Sequence, residues 1–138
     1  WMPDIVHCHG WMTALMPVYL KSIYSNDPHF SGAKVIYSIY NRDEKIKFSK
    51  NLEEKLEFDN IPVSELDIKG SIGVNKLHEI GIQWSDAVGF CSSEIDIVLK
   101  ELVKSLKKPL LEHQEEEQII EAHQDFYDKV LSENGVLA

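Results

Sequence analysis

Hydrophobic residues fall into short runs separated by stretches with helical spacing, a pattern that predicts alternating strands and helices. Apolar and β-branched residues cluster between Pro3 and Gly10, over 34–40 and over 87–91, which predicts three strands. The run over 34–40 is nearly continuous in apolar residues, as expected for a strand buried on both faces of a parallel sheet. Residues 109–111 predict a brief strand at an edge of that sheet.

Helical spacing of apolar residues predicts a helix in each interval between these strands. Over 11–19 the spacing includes Pro17, so this helix begins late or kinks there. Further helices are expected over 50–58 and over 74–84.

The helix after the third strand has the clearest amphipathic pattern. Ser92 or Ser93 is expected to cap its first turn, and Lys107 and Lys108 suit the negative end of its dipole. Its predicted apolar stripe consists of Ile95, Val98, Leu99, Leu102, Val103 and Leu106.

A last helix is predicted to open at three glutamates, 115–117, and to end at Asn134 and Gly135. Its predicted inner face consists of Ile119, Ile120, His123, Phe126, Tyr127, Val130 and Leu131. The order of strands and helices implies right-handed crossovers and a parallel sheet with helices on its faces. We therefore expect an α/β fold of three to four parallel strands, forming a single domain over residues 1–138.

Composition and charge narrow the functional classes. The 138 residues are 43% hydrophobic and 27% charged, which is typical of a soluble globular domain. The formal net charge of −9 would repel nucleic acid and anionic lipid, and the densest basic stretch, 45–55, is interleaved with glutamates. No apolar run approaches the roughly 20 residues that span a bilayer, and no basic-then-apolar leader opens the sequence. We expect neither a nucleic-acid nor a membrane partner.

The two cysteines bear on the cellular compartment. Cys8 and Cys91 lie in apolar, strand-like segments and not in cysteine-rich loops. Such sparse cysteines fit two buried thiols in a reducing compartment, so a cytoplasmic location is expected. The sequence alone does not decide whether the two cysteines form a disulfide.

Two histidines near the start of the chain are the main candidates for a site. Side chains alternate along a strand, so Ile5, His7 and His9 share one face of the first predicted strand, and His9 lies at its carboxyl end. In open α/β sheets, ligands bind at the edge where the parallel strands end. A neutral imidazole offers a ligand one donor and one acceptor, whereas His7, nearer the middle of the sheet, could instead satisfy a buried backbone or carboxylate group.

Two other chemistries stay open. A His-x-His pair at a strand end is one way in which metal hydrolases present two ligands, but residues 40–41 and 91–92 supply further ligands poorly. The turn over 92–94 suits either an anion or ordinary helix capping. The chain contains no glycine-rich phosphate loop, no Cys-x-x-Cys and no Gly-x-Ser-x-Gly motif, so no cofactor and no resident metal are expected.

The opening segment resembles a motif of a known enzyme family. It reads Trp1-Met-Pro-Asp-Ile-Val-His-Cys-His-Gly-Trp11 and is similar to the Pro-Asp-x-(Val/Ile)-His-x-His-Asp-Trp-His segment of bacterial glycogen and starch synthases, glycosyltransferases of the GT-B fold. It is more similar still to a short, glycogen-synthase-like branch that reads His-Cys-His-Gly-Trp-Met-Thr-Ala-Leu. The likeness covers most of the chain, continuing through 34–41, 74–88, 108–114 and 126–128.

The resemblance implies a place within a larger enzyme. The chain would be the later part of an amino-terminal, Rossmann-like catalytic domain, and the strand with the family's glycine-rich acceptor-side loop would precede Trp1. A truncated polypeptide is therefore expected, or a member of the short branch, which ends near this tail without a second Rossmann domain.

The resemblance also implies an activity and its partners. The parent protein would transfer glucose from ADP-glucose, a nucleotide sugar, to the end of an α-1,4-glucan. Family members use a cleft between two Rossmann domains, and the nucleotide binds mainly to the second. The 138 residues alone are therefore expected to be inactive and to bind ADP-glucose weakly. As a partial sheet they could also self-associate through an exposed edge or apolar face.

Two positions depart from the family motif. The synthases usually place an aspartate after the second histidine and end the next strand in Val-His-Asn, whereas this chain has Gly10 and Tyr40 at those positions. Asn41 keeps the family's residue, so His9 and Asn41 are the candidate substrate-binding residues, and no catalytic residue is assigned. The two departures favour an alternative function, a non-catalytic glucan-binding or regulatory module derived from this family.

Overall fold

The computed structural model describes residues 1–41, 45–49 and 51–132. In these ranges the strands are β1 (Ile5–His9), β2 (Lys34–Ile39), β3 (Lys47–Phe48), β4 (Ile72–Gly73), β5 (Ala87–Phe90) and β6 (Leu110–Leu111). The α-helices are α1 (Met16–Lys21), α2 (Asn51–Phe58), α3 (Val74–Trp84), α4 (Ile97–Leu106) and α5 (Ile119–Ser132). Pro17 lies in the first turn of α1, so the late start of this helix is confirmed.

Four strands form one parallel sheet in the order β1–β2–β5–β6. The register places Val35 of β2 opposite Val6 of β1, and Ile36 of β2 opposite Ala87 of β5. Helices α1, α3 and α4 pack on one face of the sheet, and α5 packs on the other. The predicted fold class is therefore confirmed: an α/β, Rossmann-like arrangement with a parallel four-stranded sheet between layers of helices.

Strand β2 joins the two apolar cores because it is buried on both faces. Val35, Tyr37 and Ile39 belong to the larger core, together with residues of α1, α3 and α4, whereas Ile36 packs with Phe126 of α5. These four β2 side chains are at most 2% exposed. Burying one large apolar side chain contributes about 1.5–3 kcal/mol, so β2 is a main source of the stability of this fold.

One polar pair is buried inside the larger core. The Tyr37 hydroxyl lies 2.7 Å from Nδ1 of His78 on α3. Burial lowers the pKa of His78 to about 4 and raises the pKa of Tyr37, so the hydrogen bond joins a neutral phenol and a neutral imidazole. Gly81 makes room for this pair, since a Cβ at that position would lie 2.6 Å from the Tyr37 ring.

Helix α4 begins later than predicted. The carboxylate of Asp96 caps it by accepting a hydrogen bond from the Val98 amide at 2.8 Å. The prediction that Ser92 or Ser93 caps this helix is wrong, because the chain is not yet helical at those residues. The Ser92 hydroxyl instead accepts a hydrogen bond from the backbone amide of Asn41 at 2.8 Å.

The two lysines after α4 have different roles. Lys107 ends the helix in the left-handed conformation, with φ of 53°. The ammonium group of Lys108 donates to the carbonyls of Ile82, Gln83 and Ser85 at 2.5–2.7 Å. Lys108 therefore interacts with the negative end of the α3 dipole, and the prediction that it serves α4 is wrong.

The predicted apolar faces of α4 and α5 are partly exposed. Five of the predicted inward residues are buried, Ile95, Leu99, Val103, Phe126 and Val130, and four are exposed, Val98, Leu106, Ile119 and Ile120. The glutamates of 115–117 precede α5 in an irregular segment and a turn. The predicted end of this helix at Asn134 and Gly135, and the predicted start of α2 at Lys50, lie outside the described residues. No helix in the described ranges combines the length and the apolar character needed to cross a bilayer.

A small antiparallel ribbon lies beside the larger core. Strands β3 and β4 pair with Lys47 opposite Gly73 and Phe48 opposite Ile72. Each strand has two residues, too few for an alternating pattern to be visible in the sequence. Phe48 packs against Trp11, with 5.5 Å between the ring centroids, and thereby attaches the ribbon to the segment that follows β1.

The two cysteines are separate, unpaired thiols. Cys8 on β1 is buried in the larger core, and this burial raises its pKa to about 11. Cys91, directly after β5, is half-buried. The expectation of two buried thiols therefore holds for Cys8 and is wrong for Cys91.

Replacing Gly81 by alanine should destabilise the protein by about 1–3 kcal/mol, because the new methyl group must displace the Tyr37 ring. Alanine otherwise favours a helix over glycine by about 1 kcal/mol, so any loss of stability reports the clash. Urea denaturation followed by circular dichroism measures the change. Gly32→Ala is the control, since no described atom lies within 4 Å of its Cβ position. Wild-type stability in the Gly81→Ala variant would contradict this packing.

The free energy of unfolding should decrease as the pH falls from 6.5 to about 4, because the unfolded chain binds a proton at His78 that the folded protein excludes. His78→Gln keeps an acceptor for Tyr37 but cannot titrate. It should reduce the slope of stability against pH by up to about 1.4 kcal/mol per pH unit in this window. Urea denaturation at a series of pH values measures the slope. His113→Gln, at an exposed histidine, should keep the wild-type slope; an unchanged slope in His78→Gln would rule out the buried neutral imidazole.

Candidate functional site

The predicted site residues lie together where β1 and β2 end. His9, the last residue of β1, pairs with Ser38 of β2, and Tyr40 and Asn41 directly follow β2. The amide of Gly10 donates to the carbonyl of Ser38 at 2.9 Å, which keeps the end of β1 against β2. The structure therefore places His9 and Asn41 at one edge of the sheet, the edge at which ligands bind in open α/β folds.

His7 is held inside the structure by two hydroxyl groups. Its Nδ1 lies 2.7 Å from the Tyr127 hydroxyl of α5, and its Nε2 lies 2.7 Å from Oγ of Ser38. Gly89 leaves the space for this hydroxyl, since a Cβ there would lie 2.5 Å from Ser38 Oγ. Burial, together with two neighbouring imidazoles, lowers the pKa of His7 to about 4. His7 is therefore neutral at pH 7, and its partners are hydroxyls and not the backbone or carboxylate group expected from the sequence.

His9 is stacked on His7 at the rim of the sheet. The two ring centroids lie 3.9 Å apart, with 26° between the ring planes. Nδ1 of His9 lies 2.9 Å from the Tyr40 hydroxyl. Burial, and then His123, lower the pKa of His9, which favours the neutral imidazole. Because Nδ1 faces Tyr40, Nε2 is the His9 atom that can donate to or accept from a hydroxyl group of a ligand, according to the tautomer.

A cavity of about 540 Å³, which we call the polar cavity, opens beside the end of β2. Its polar lining residues are Tyr40, Asn41, Lys45, Lys47, Asn75, His78 and Asp96. The Asn75 side-chain amide donates to the Asp96 carboxylate at 3.3 Å. With two lysines, a carboxylate and two amides, this cavity can bind a ligand that carries both charge and hydroxyl groups.

A second cavity, of about 580 Å³, lies between the same sheet edge and α5, and we call it the α5 cavity. The residues that define its walls include His9, Tyr40, Phe90, Ile120, His123 and Tyr127. Its lining is mostly apolar carbon, with imidazole, phenol and amide groups placed among it. This composition is typical of pockets that bind small organic ligands.

The two predicted site residues line different cavities. His9 lines the α5 cavity, whereas Asn41 lines the polar cavity, and Tyr40 lines both. Tyr40 therefore separates the two spaces at the position where the resembling synthases carry a histidine. The assignment of His9 and Asn41 as substrate-binding residues stays a prediction.

The geometry gives little support to a metal site at His7 and His9 or to an anion site in the turn over 92–94. The described residues bring together no group of three His, Cys, Asp or Glu side chains that could hold a metal ion. Both nitrogens of His7 are already within hydrogen-bond distance of hydroxyl groups. In the turn over 92–94, the hydroxyl of Ser92 accepts a hydrogen bond from the backbone amide of Asn41. This turn therefore helps to hold Asn41 in place.

Gly10 has a backbone conformation that only glycine adopts readily. Its φ is 76° and its ψ is 173°. A Cβ at this position would meet a ring carbon of Tyr40 at 3.9 Å, so the conformation, and not the space, is what disfavours a side chain. The aspartate that the resembling synthases carry here would require a different course of the chain between β1 and α1.

Comparison with known proteins assigns the chain to a family. The profile of the starch synthase catalytic domain matches residues 1–110. The chain belongs to this family. The glycogen synthase of Thermotoga petrophila is 36% identical over 92 residues, which are 65% of this chain and 18% of that protein. The glycogen synthase of Desulforudis audaxviator is 30% identical over 90 residues, 64% of this chain and 17% of that protein. No solved structure matches the chain.

The matched range includes all of the residues that line one cavity but only some of those that line the other. The matched part of the chain spans less than a fifth of the length of these glycogen synthases. The match to the starch synthase catalytic domain ends at residue 110, before α5 begins at Ile119. The polar cavity is therefore built entirely within the family match, whereas one wall of the α5 cavity lies beyond it.

Several residues that line the cavities were not predicted as site residues. Asn75 and His78 lie one turn apart on α3. The sequence feature that could have indicated them is the presence of two polar residues on a helix face that is otherwise apolar. His123 and Tyr127 lie one turn apart on α5 and were predicted as inner-face packing residues. The sequence feature that could have indicated this second pair is a histidine on a helix face that is otherwise apolar.

Replacing Gly10 by aspartate should destabilise the protein by about 1–3 kcal/mol, because the side chain disfavours a φ of 76°. Gly10→Ala should cost a similar amount, which would show that the backbone conformation is the cause. Urea denaturation measures both variants, with Gly32→Asp as a control in a turn where the Cβ position is open. A Gly10→Asp variant as stable as wild type would show that the chain accommodates the family's aspartate after all.

Proposed function

We propose that this chain is the later part of the amino-terminal catalytic domain of a glycogen-synthase-like glucosyltransferase. In this proposal the full-length protein transfers glucose from ADP-glucose to the end of an α-1,4-glucan, and the 138 residues act as one domain. The observation that carries the proposal is the match of the starch synthase catalytic domain to residues 1–110, which include His9, Tyr40 and Asn41 at one sheet edge. The relatives that the chain matches are named glycogen synthases.

The chemistry of the sheet edge supports a saccharide as the ligand. Nδ1 of neutral His9 is bonded to the Tyr40 hydroxyl at 2.9 Å, which leaves Nε2 to donate to or accept from a sugar hydroxyl, according to the tautomer. The aromatic ring of Tyr40 lines both cavities and can pack against the apolar face of a sugar ring. Asn41 lines the polar cavity, where Lys45 and Lys47 provide positive charge for an anionic group.

A second candidate is a glucan-binding or regulatory module without catalytic activity. The conformation of Gly10 favours it, because this φ disfavours the aspartate that the resembling synthases carry after the second histidine. Tyr40, in place of their histidine, is bonded to His9, so it contributes to binding in a different geometry. Losing one positioned donor costs a catalyst about 3–4 kcal/mol of transition-state stabilisation, so two such losses would greatly reduce turnover.

Transfer and binding assays distinguish the two candidates. The full-length protein is incubated with radiolabelled ADP-glucose and maltoheptaose, and maltoheptaose binding is measured by isothermal titration calorimetry. Turnover is expected for the glucosyltransferase, whereas binding without turnover would favour the module. The 138 residues alone should bind maltoheptaose without elongating it, since the relatives extend far beyond the matched part of the chain. Glucan elongation by the 138 residues alone would overturn this expectation.

A matched pair of histidine variants tests the role of the sheet edge. His9→Ala should weaken maltoheptaose binding by about threefold to tenfold, the effect of losing one hydrogen bond. His29→Ala is the control, because His29 is exposed and interacts with Asp27, away from both cavities. Absence of saccharide binding and of transfer in the wild-type protein would contradict both candidate functions.

A further inference from the structure

One wall of the α5 cavity is formed by residues that lie beyond the match to the starch synthase catalytic domain. His9, Tyr40 and Phe90 come from the sheet edge, whereas His123 and Tyr127 come from α5, beyond residue 110. The cavity volume of about 580 Å³ lies within the range of roughly 300–1,000 Å³ that is usual for ligand sites. Helix α5 therefore encloses the side of the sheet edge next to His9.

The α5 wall also fixes the histidines of the sheet edge. The Tyr127 hydroxyl is bonded to His7 at 2.7 Å, and the His7 ring stacks on His9 at 3.9 Å. His9 is in turn bonded to Tyr40. A continuous series of contacts therefore connects α5 through His7 to His9, which lines the α5 cavity, and to Tyr40, which lines both cavities. These contacts set the orientation of the His9 ring.

His123 adds a further polar group with a defined orientation. Its Nδ1 donates to the carbonyl of Ile119 at 2.7 Å, so in the neutral ring the Nε2 atom is the acceptor. Its ring lies 6.2 Å from His7 and 6.1 Å from Tyr127, on the same side of the cavity. The cavity thus presents phenol and imidazole groups that can donate to, and accept from, hydroxyl groups of a ligand.

The charge of the α5 cavity restricts the ligand. Among the described residues that line it there is no lysine or arginine, and there is one carboxylate, that of Glu112. The polar cavity, by contrast, has Lys45 and Lys47. A phosphate or a nucleoside diphosphate would therefore find no counter-charge in the α5 cavity, whereas a neutral molecule with many hydroxyl groups would find hydrogen-bond partners between apolar walls.

We propose that the α5 cavity is a binding subsite for a neutral α-glucan, with His123 contacting the saccharide and Tyr127 positioning His9 through His7. This proposal rests on the proposed function and assigns the glucan, and not the nucleotide, to this cavity. The apolar carbon of Phe90 and Ile120 packs against the C–H faces of the sugar rings, and the imidazoles bind their hydroxyl groups.

Nuclear magnetic resonance of the ¹⁵N-labelled wild-type protein tests the location. Maltotriose should shift the amide signals of α5 residues 119–127 and the ring signals of His9. Shifts confined to residues 45–47 and 73–78 would overturn the α5 subsite and leave the proposed function standing. Absence of any saccharide-dependent shift would overturn both proposals, and equal shifts on adding inorganic phosphate or ADP would overturn the assignment of a neutral ligand.

Two variants test the roles of the α5 residues. His123→Ala and Tyr127→Phe should each weaken maltotriose binding by about threefold to tenfold, as expected for losing one hydrogen bond. Tyr127→Phe should also change the ¹⁵N ring signals of His7, since it removes the partner of Nδ1 while keeping the aromatic ring. Tyr24→Phe, at an exposed tyrosine away from both cavities, is the control. Wild-type affinity in both α5 variants would overturn the proposal.

Discussion

Burial of β2 on both faces is the constraint on which the rest of this structure depends. On one face, Tyr37 must find a partner for its hydroxyl, and His78 of α3 provides it. On the other face, Ser38 must do the same, and His7 of β1 provides the partner. Since an unpaired buried polar group costs about 1–3 kcal/mol, these two bonds determine how α3 and β1 can pack against β2. The edge at which β2 ends, at Tyr40, is where the cavities form.

The same packing keeps His7, His9 and His78 neutral. Burial lowers the pKa of His7 and of His78 to about 4, and it lowers the pKa of His9 in the same direction. The rings of His7 and His9 are stacked with 3.9 Å between their centroids, so protonating both would bring two like charges together, which disfavours the charged forms. A neutral pair of imidazoles suits hydrogen bonding with uncharged hydroxyl groups better than it suits binding of an anion.

The sequence predicts the parts of this fold that rest on local patterns. Continuous apolarity over 34–40 predicted β2, and the position of His9 at the carboxyl end of the first strand was also predicted, both correctly. The residue that caps α4 was not predictable, because Ser92 and Asp96 are both residue types that cap helices. Asp96 is the cap because the chain becomes helical only at Ile97. Contacts between residues far apart in the sequence were also not predictable. The bond between His7 and Tyr127 joins residues 120 positions apart, and no local pattern specifies that α5 will reach β1.

That long-range contact bears on the two departures from the family motif. The chain has Gly10 and Tyr40 where the resembling synthases carry an aspartate and a histidine, so a carboxylate is absent from this edge of the sheet and a phenol stands in place of an imidazole. Helix α5, which lies beyond the match to the starch synthase catalytic domain, brings an imidazole and a phenol to the same edge, from His123 and Tyr127. Imidazole and phenol groups can donate and accept hydrogen bonds, whereas an aspartate carries a negative charge. Helix α5 therefore gives this edge groups suited to hydrogen bonding with hydroxyls, and the contact of Tyr127 with His7 helps to hold α5 against β1.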